Sequence, residues 1–163
     1  MLEFEHIVQI NDPDDPKVKP MTRAQLWEGL LLRARDPGKF NAALTCRLED
    51  QNQNGFIRYI QAGDTEFRDQ VTLTHLEKIE TVTTGPDQPL QAESLAIIEE
   101  PAEGYLFVRF RYRRDMEDSS EGFMLGEHLK SAYFHTDIEA IALIRMLADD
   151  QLLSAKPNLS EVP

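Results

Sequence analysis

The chain has 163 residues, 41% of them hydrophobic and 28% charged. That is enough for one hydrophobic core and too apolar for a disordered chain. Its 17 basic residues stand against 29 acidic ones, a formal charge of −12. So acidic a balance argues against nucleic acid as a partner, because phosphate binding needs clustered cations, and against an anionic membrane surface for the same reason.

The N-terminal stretch Met1–His6 carries acids and neither a basic region nor an apolar one of signal-peptide type. The most apolar late segment, Ala140 to Ala148, is interrupted by Arg145, far short of the ~18 apolar residues of a membrane span. The lone cysteine, Cys46, cannot close an internal disulfide and lies on the face of Leu44 and Leu48, which suits a buried structural thiol. These features predict a soluble, cytoplasmic protein without membrane insertion.

Residues 2–11 alternate, with Leu2, Phe4, His6, Val8 and Ile10 on one face, and predict a half-buried strand. Asn11-Asp12-Pro13-Asp14-Asp15-Pro16 stops it. Thr22 followed by Gln25 is a capping-box pattern, and the helix it opens shows Leu26, Trp27, Leu30, Leu31 and Ala34 as one broad stripe ended by Asp36-Pro37-Gly38. Lys39 to Ala43 has room for a further short helical turn.

From 44 to 114 the pattern is strand after strand, with Asn52-Gln53-Asn54-Gly55, Gly63-Asp64, Leu76-Glu77, Gly85–Pro89 and Pro101-Ala102-Glu103 as turns. Six consecutive strands at short spacing favour an antiparallel meander. Ser119 or Ser120 can cap a final helix, with Glu121 in its first turn. Its apolar positions run from Phe123 through Ile141, Ile144 and Ala148 to Leu152. A bend near His135-Thr136-Asp137, with Asp137 recapping, is compatible with the sequence, and Lys156-Pro157-Asn158 is the expected stop.

A seven-stranded antiparallel sheet with one apolar face needs a cover, and the long helix has a matching stripe. The expected fold is therefore α+β: a curved sheet wrapped around the C-terminal helix, with one or two short helices after the first strand. One domain over 1–155 and a tail over 156–163 follow. This order resembles the helix-grip fold of the START/Bet v 1-like (SRPBCC) superfamily. The opening Leu2-Glu3-Phe4-Glu5-His6-Ile7-Val8-Gln9-Ile10-Asn11-Asp12-Pro13, then Thr22–Leu30, Arg68–Leu73 and Val108–Tyr112, resemble the AtaL-like family, a domain of unknown function. The resemblance implies a hydrophobic cavity between sheet and helix. It implies no reaction, since fold does not fix function.

The sequence has no phosphate-cradling Gly-rich loop and no nucleophile elbow. Its four histidines and one cysteine supply zinc ligation poorly. No metal and no cofactor are expected. The candidates for a site are polar or aromatic residues on inward faces. Asp69 stands between Phe67 and Val71, where a bare carboxylate is costly unless paired or protonated. It reads either as a cavity acid with raised pKa or as a carboxylate satisfied by a neighbouring Arg, Tyr or backbone amide. His6 lies among apolar neighbours, and Tyr59 and Tyr112 fall beside Ile57 and Phe110 on apparently inward faces. Tyr133 and Phe134 on the long helix complete the set. Arg109, Arg111, Arg113 and Arg114 read as an anion site or, preferably, as a solvated face paired with acids on neighbouring strands.

The reading favoured by these residues is a non-catalytic binder of a hydrophobic or aromatic small molecule. A cyclase, dehydratase or lyase-type enzyme using the same acid–base residues is the first alternative. A protein-interaction module with a filled core is the second. Ligand identity and oligomeric state stay open.

Overall fold

The architecture follows from which strand pairs with which. In this computed structural model, which describes residues 1–84 and 91–153, the chain runs β1 (Leu2–Gln9), α1 (Arg23–Arg35), a 3-10 turn (Pro37–Lys39), β2 (Leu44–Asn52), β3 (Gly55–Ala62), β4 (Thr65–Thr74), β5 (Lys78–Thr84), β6 (Gln91–Ala102), β7 (Tyr105–Arg114) and α2 (Ser120–Asp149). All seven strands form one antiparallel sheet in the order β1-β7-β6-β5-β4-β3-β2. It is the helix-grip arrangement expected from the element order. The expected Gly85–Pro89 loop and the tail over 156–163 lie outside the described residues.

The in-register pairs sort the side chains into two faces. Phe4 opposes Tyr112, His6 opposes Phe110 and Val8 opposes Val108; these residues face the helices. Their sequence neighbours Glu3, Glu5, Arg109, Arg111 and Arg113 face outward. There Arg109 pairs with Glu5 at 3.1 Å and Glu99 at 3.0 Å, and Arg113 lies 3.7 Å from Glu3. Arg109, Arg111 and Arg113 thus form an ion-paired outer face, whereas Arg114, opposite Leu2, falls on the inner side with its Nε buried and without a hydrogen-bond partner among the described residues.

Two local devices set the helices. The Asn11 side-chain amide both donates to Met21 O (2.7 Å) and accepts from Met21 N–H (2.9 Å), closing the Pro-rich loop onto itself. Thr22 then caps α1, its hydroxyl accepting from Gln25 N–H while Gln25 Oε1 accepts from Thr22 N–H, the capping box read from the sequence. Ser119 caps α2 through Gly122 N–H. Leu26, Ile10, Phe56, Val71, Val108 and Ile144 are almost wholly buried where α1, α2 and the sheet meet.

Three boundaries differ from expectation. The short turn falls at 37–39 rather than 39–43, because Pro37 is favoured in a first helical turn. α2 is one unbroken helix, and Asp137 is not a cap but a fully buried side chain. The helix ends at Asp149 rather than near Lys156. Asp149 and Asp150 crowd negative charge onto its negative end, and Gln151 turns the backbone to φ 58°.

Gly29 shows how tightly α1 crosses α2. A Cβ at that position would sit 2.3 Å from Ile144 Cγ2 and 3.0 Å from Ile144 Cβ, so the branch point of the isoleucine leaves no room. We expect Gly29→Ala to cost ~1–3 kcal/mol by overpacking, outweighing the ~1 kcal/mol that alanine gains in helix propensity. In a Gly29→Ala, Ile144→Ala double mutant the two losses should be clearly less than additive in urea melts, whereas additive losses would show that the two positions do not touch.

Candidate functional site

The interior between sheet and helices is not filled. β6 presents small side chains, Ser94 and Ala96, to the inner face, where neighbouring strands present Ile79, Phe110 and Tyr112. Below α1 this leaves a cavity of about 280 Å3, close to the lower end of the ~300–1,000 Å3 typical of ligand pockets. Its apolar walls include Leu30, Ile60, Ile79, Ala96 and Phe110, and its polar ones Arg33, Arg58, Thr81, Ser94 and Tyr112. A wider depression of about 640 Å3 lies on the outer face. It is a trough whose Arg111 and Arg113 are already paired with Glu5 and Glu3, so the cavity on the inner face, between sheet and helices, is the candidate site.

One end of the cavity is organised by Asp137, whose side chain is inaccessible to solvent. A bare carboxylate there would be prohibitively costly. It accepts from Arg33 Nη1 at 2.8 Å and from His6 Nε2 at 2.7 Å. The Tyr112 hydroxyl lies 2.7 Å from its Oδ1 and 2.5 Å from its Oδ2. Because a carboxylate only accepts, His6 carries a proton on Nε2. Its Nδ1 is buried without a hydrogen-bond partner among the described residues, in a ring environment set by Phe4, Phe110 and Phe134 at centroid distances of 5.4, 5.2 and 5.2 Å. Tyr133 stacks on Tyr112 at 4.1 Å, nearly parallel. Burial foremost, and then the adjacent Asp137 charge, push the Tyr112 phenol far above its ordinary value, so it stays protonated and its hydrogen is committed to the carboxylate.

The second buried carboxylate, Asp69, is held differently. Arg58 Nε and Nη2 both donate to its Oδ2, at 2.8 and 2.7 Å, and Thr83 Oγ1 donates to its Oδ1 at 2.6 Å. Arg58 Nη1 reaches Ala34 O at 2.7 Å, placing a cation at the C-terminal end of α1 where the helix dipole favours it. Asp69 is buried as expected, but none of His6, Tyr59 or Tyr112 hydrogen-bonds to it; it is a satisfied carboxylate behind Arg58.

Of the sequence candidates, Phe110 and Tyr112 line the cavity, while His6, Tyr133 and Phe134 pack around Tyr112 and the Asp137 network. Tyr59 does not join them. Inward-facing Asp69 is opposite Arg58 in the register, so Tyr59 takes the outer face, under the Arg47 guanidinium at 3.8 Å. Sequence reasoning missed Arg33, Arg58, Thr81, Ser94 and Asp137. Arg58 was findable, as a charge alternating with Phe56 and Ile60. Asp137 was findable too, four and seven residues before Ile141 and Ile144 on one helical face. Cys46 is half-buried rather than buried as expected; partial burial pushes its thiol up, and the thiol approaches Arg35 O at 3.6 Å.

Two measurements check this network. Asp137→Asn leaves the Arg33 cation without its buried counter-charge and should cost ~3–5 kcal/mol in urea denaturation; a loss under ~0.5 kcal/mol, the surface range, would contradict the assigned role. Tyr112 binds its proton more tightly folded than unfolded. Its contribution is therefore complete below the unfolded phenol value near pH 10 and is lost as pH rises beyond it, by about 1.4 kcal/mol per pH unit. Tyr112→Phe should remove that one-proton slope from the alkaline limb of the stability–pH curve, and an unchanged slope would count against it.

Comparison with known proteins agrees with this geometry. Among solved structures, the chain is similar to the Zhui aromatase/cyclase from Streptomyces sp. R1128 (TM-score 0.64, 9% identity, covering 96% of this chain and 98% of that one). It is also similar to a START superfamily protein from Mycobacterium smegmatis (TM-score 0.64, 10% identity, 90% and 99%) and to Ara h 8.0201 (TM-score 0.61, 12% identity, 88% and 97%). At these identities the likeness is one of fold. No curated protein matches the sequence. Residues 8–151, however, match the profile of AtaL, described as acetylaranotin biosynthesis cluster protein L. With nearly the whole helix-grip unit covered by that match, the chain belongs to the AtaL family within the START/SRPBCC superfamily.

Proposed function

We propose that the protein binds a small, apolar, ring-bearing molecule between its sheet and helices α1 and α2. The observation that carries this is the cavity of about 280 Å3 walled by Leu30, Ile60, Ile79, Ala96 and Phe110. Interiors normally pack to crystal-like density, so a void of this size beside Ser94 and Ala96 is space for something other than the chain. The acidic surface and single thiol support a small-molecule binder working in the cytoplasm rather than a nucleic-acid partner. The solved START-like and aromatase/cyclase folds named above support an interior site of this kind.

Catalysis on the bound molecule is the second reading, and one observation favours it. Tyr112, on the cavity wall, and His6 converge on the same buried carboxylate, so a proton taken up at the phenol oxygen can be balanced by passing the phenol's own proton to Asp137. That is acid–base machinery of the sort a lyase or cyclase uses.

The binding reading is tested with N-phenyl-1-naphthylamine, an uncharged dye that fluoresces in apolar surroundings. The wild-type protein should bind it saturably. Ala96→Leu, which fills the space, should weaken binding at least tenfold while the urea midpoint moves little. Equal affinity in both proteins would place the dye elsewhere and remove the cavity as the site.

A further inference from the structure

We propose that Thr81 and Ser94 form a two-hydroxyl subsite that reads one acceptor oxygen of an uncharged ligand, so that the cavity selects a carbonyl-bearing aromatic over both its hydrocarbon analogue and its carboxylate. The inference rests on the binding reading above and adds which chemical group the site recognises.

Thr81 of β5 and Ser94 of β6 are direct cross-strand partners, and opposed residues on one sheet face hold their Cβ atoms about 4.5–5.5 Å apart. Both line the cavity. Thr81 is 8% exposed, yet neither hydroxyl has a hydrogen-bond partner among the described residues. The two neighbouring hydroxyls on this face are paired: Thr83, one inward position further along β5, gives its own to Asp69, and Tyr112, the next residue across the sheet from Ser94, gives its own to Asp137. The rim hydroxyl, Thr136, is exposed to solvent. Thr81 and Ser94 are thus the inward lining side chains, among the described residues, whose hydroxyl protons are uncommitted. Neither hydroxyl is sealed off from solvent, so both are open to the cavity, and a ligand oxygen set against the pair accepts two hydrogen bonds that no protein group competes for.

Charge decides which oxygen. Arg33 and Arg58 supply the positive charge on the wall, and each is held by its own buried carboxylate, Asp137 at 2.8 Å and Asp69 at 2.7 Å. The wall is therefore neutral. An anionic ligand would bury an unbalanced charge inside a protein already at −12, whereas a ketone or ester oxygen needs only the hydroxyl donors. The apolar row beside the pair, Ile79, Ala96 and Phe110, takes the ligand's ring.

The test displaces N-phenyl-1-naphthylamine with 2-acetylnaphthalene, 2-ethylnaphthalene and 2-naphthoate. In the wild type, the ketone should compete at least tenfold better than the carboxylate. Thr81→Val, which keeps shape and β-propensity, and Ser94→Ala should each weaken the ketone at least tenfold and leave the ethyl compound within twofold. Ketone and hydrocarbon responding alike to both substitutions, or the naphthoate competing best, would overturn the subsite while leaving the cavity standing. If neither the dye nor any naphthalene binds the wild type, the binding reading fails and the subsite with it.

Discussion

The arrangement depends on one carboxylate. Asp137 is fully buried and receives hydrogen bonds from α1 (Arg33), β1 (His6) and β7 (Tyr112) while standing on α2. A charge in that position is tolerable only if its donors are in place together, so the network fixes the relative placement of both helices and the strands beneath them. The second pair works on the same helix end, since Arg58 grips Asp69 and the carbonyl of Ala34 at once. Arg33 and Ala34 are neighbours, so the last turn of α1 is fastened on one side to α2, through Asp137, and on the other to β3, through Arg58. Between those two fastenings lies the cavity.

That explains how a void can persist without collapse. Helix α1 cannot settle onto the sheet, because the Arg33–Asp137 ion pair and the Arg58 hydrogen bond to Ala34 O hold its C-terminal turn at a set height, and small residues on β6 do not fill the gap beneath it. Hydrophobic contacts alone would favour closer approach. Retaining enclosed polar groups at the expense of tighter packing is the sort of local conflict expected at a functional site.

Much of the fold was legible because period-two alternation, turn chemistry and two capping patterns each act locally. The site was less so. Asp69 was visible as an acid on an apolar face, but its partner Arg58 becomes a neighbour only through the β3–β4 register, which a linear pattern does not specify. Tyr59 was misplaced because β3 is apolar on both faces: Ile57 and Tyr59 look as inward as Phe56 and Ile60, and only pairing decides. Asp137 reads locally as a polar interruption beside His135 and Thr136, compatible with a bend; the donors that make its burial tolerable lie 25, 104 and 131 residues away along the chain. Thr81 and Ser94 gave no signal, since hydroxyls on strands are ordinary and their significance lies in lacking a partner.

The strand order carries a temporal consequence. β2 to β7 are joined by successive hairpins and can zip up locally, but β1 pairs only with β7, Leu2 opposite Arg114. The first strand made must wait for the last, and closing that long loop is the slow, entropically costly contact. His6 arrives with β1, and Asp137 with a helix synthesised later still. The polar network therefore cannot be assembled in a partly folded chain, so a molecule that needs the completed wall meets a binding-competent surface only after the sheet has closed.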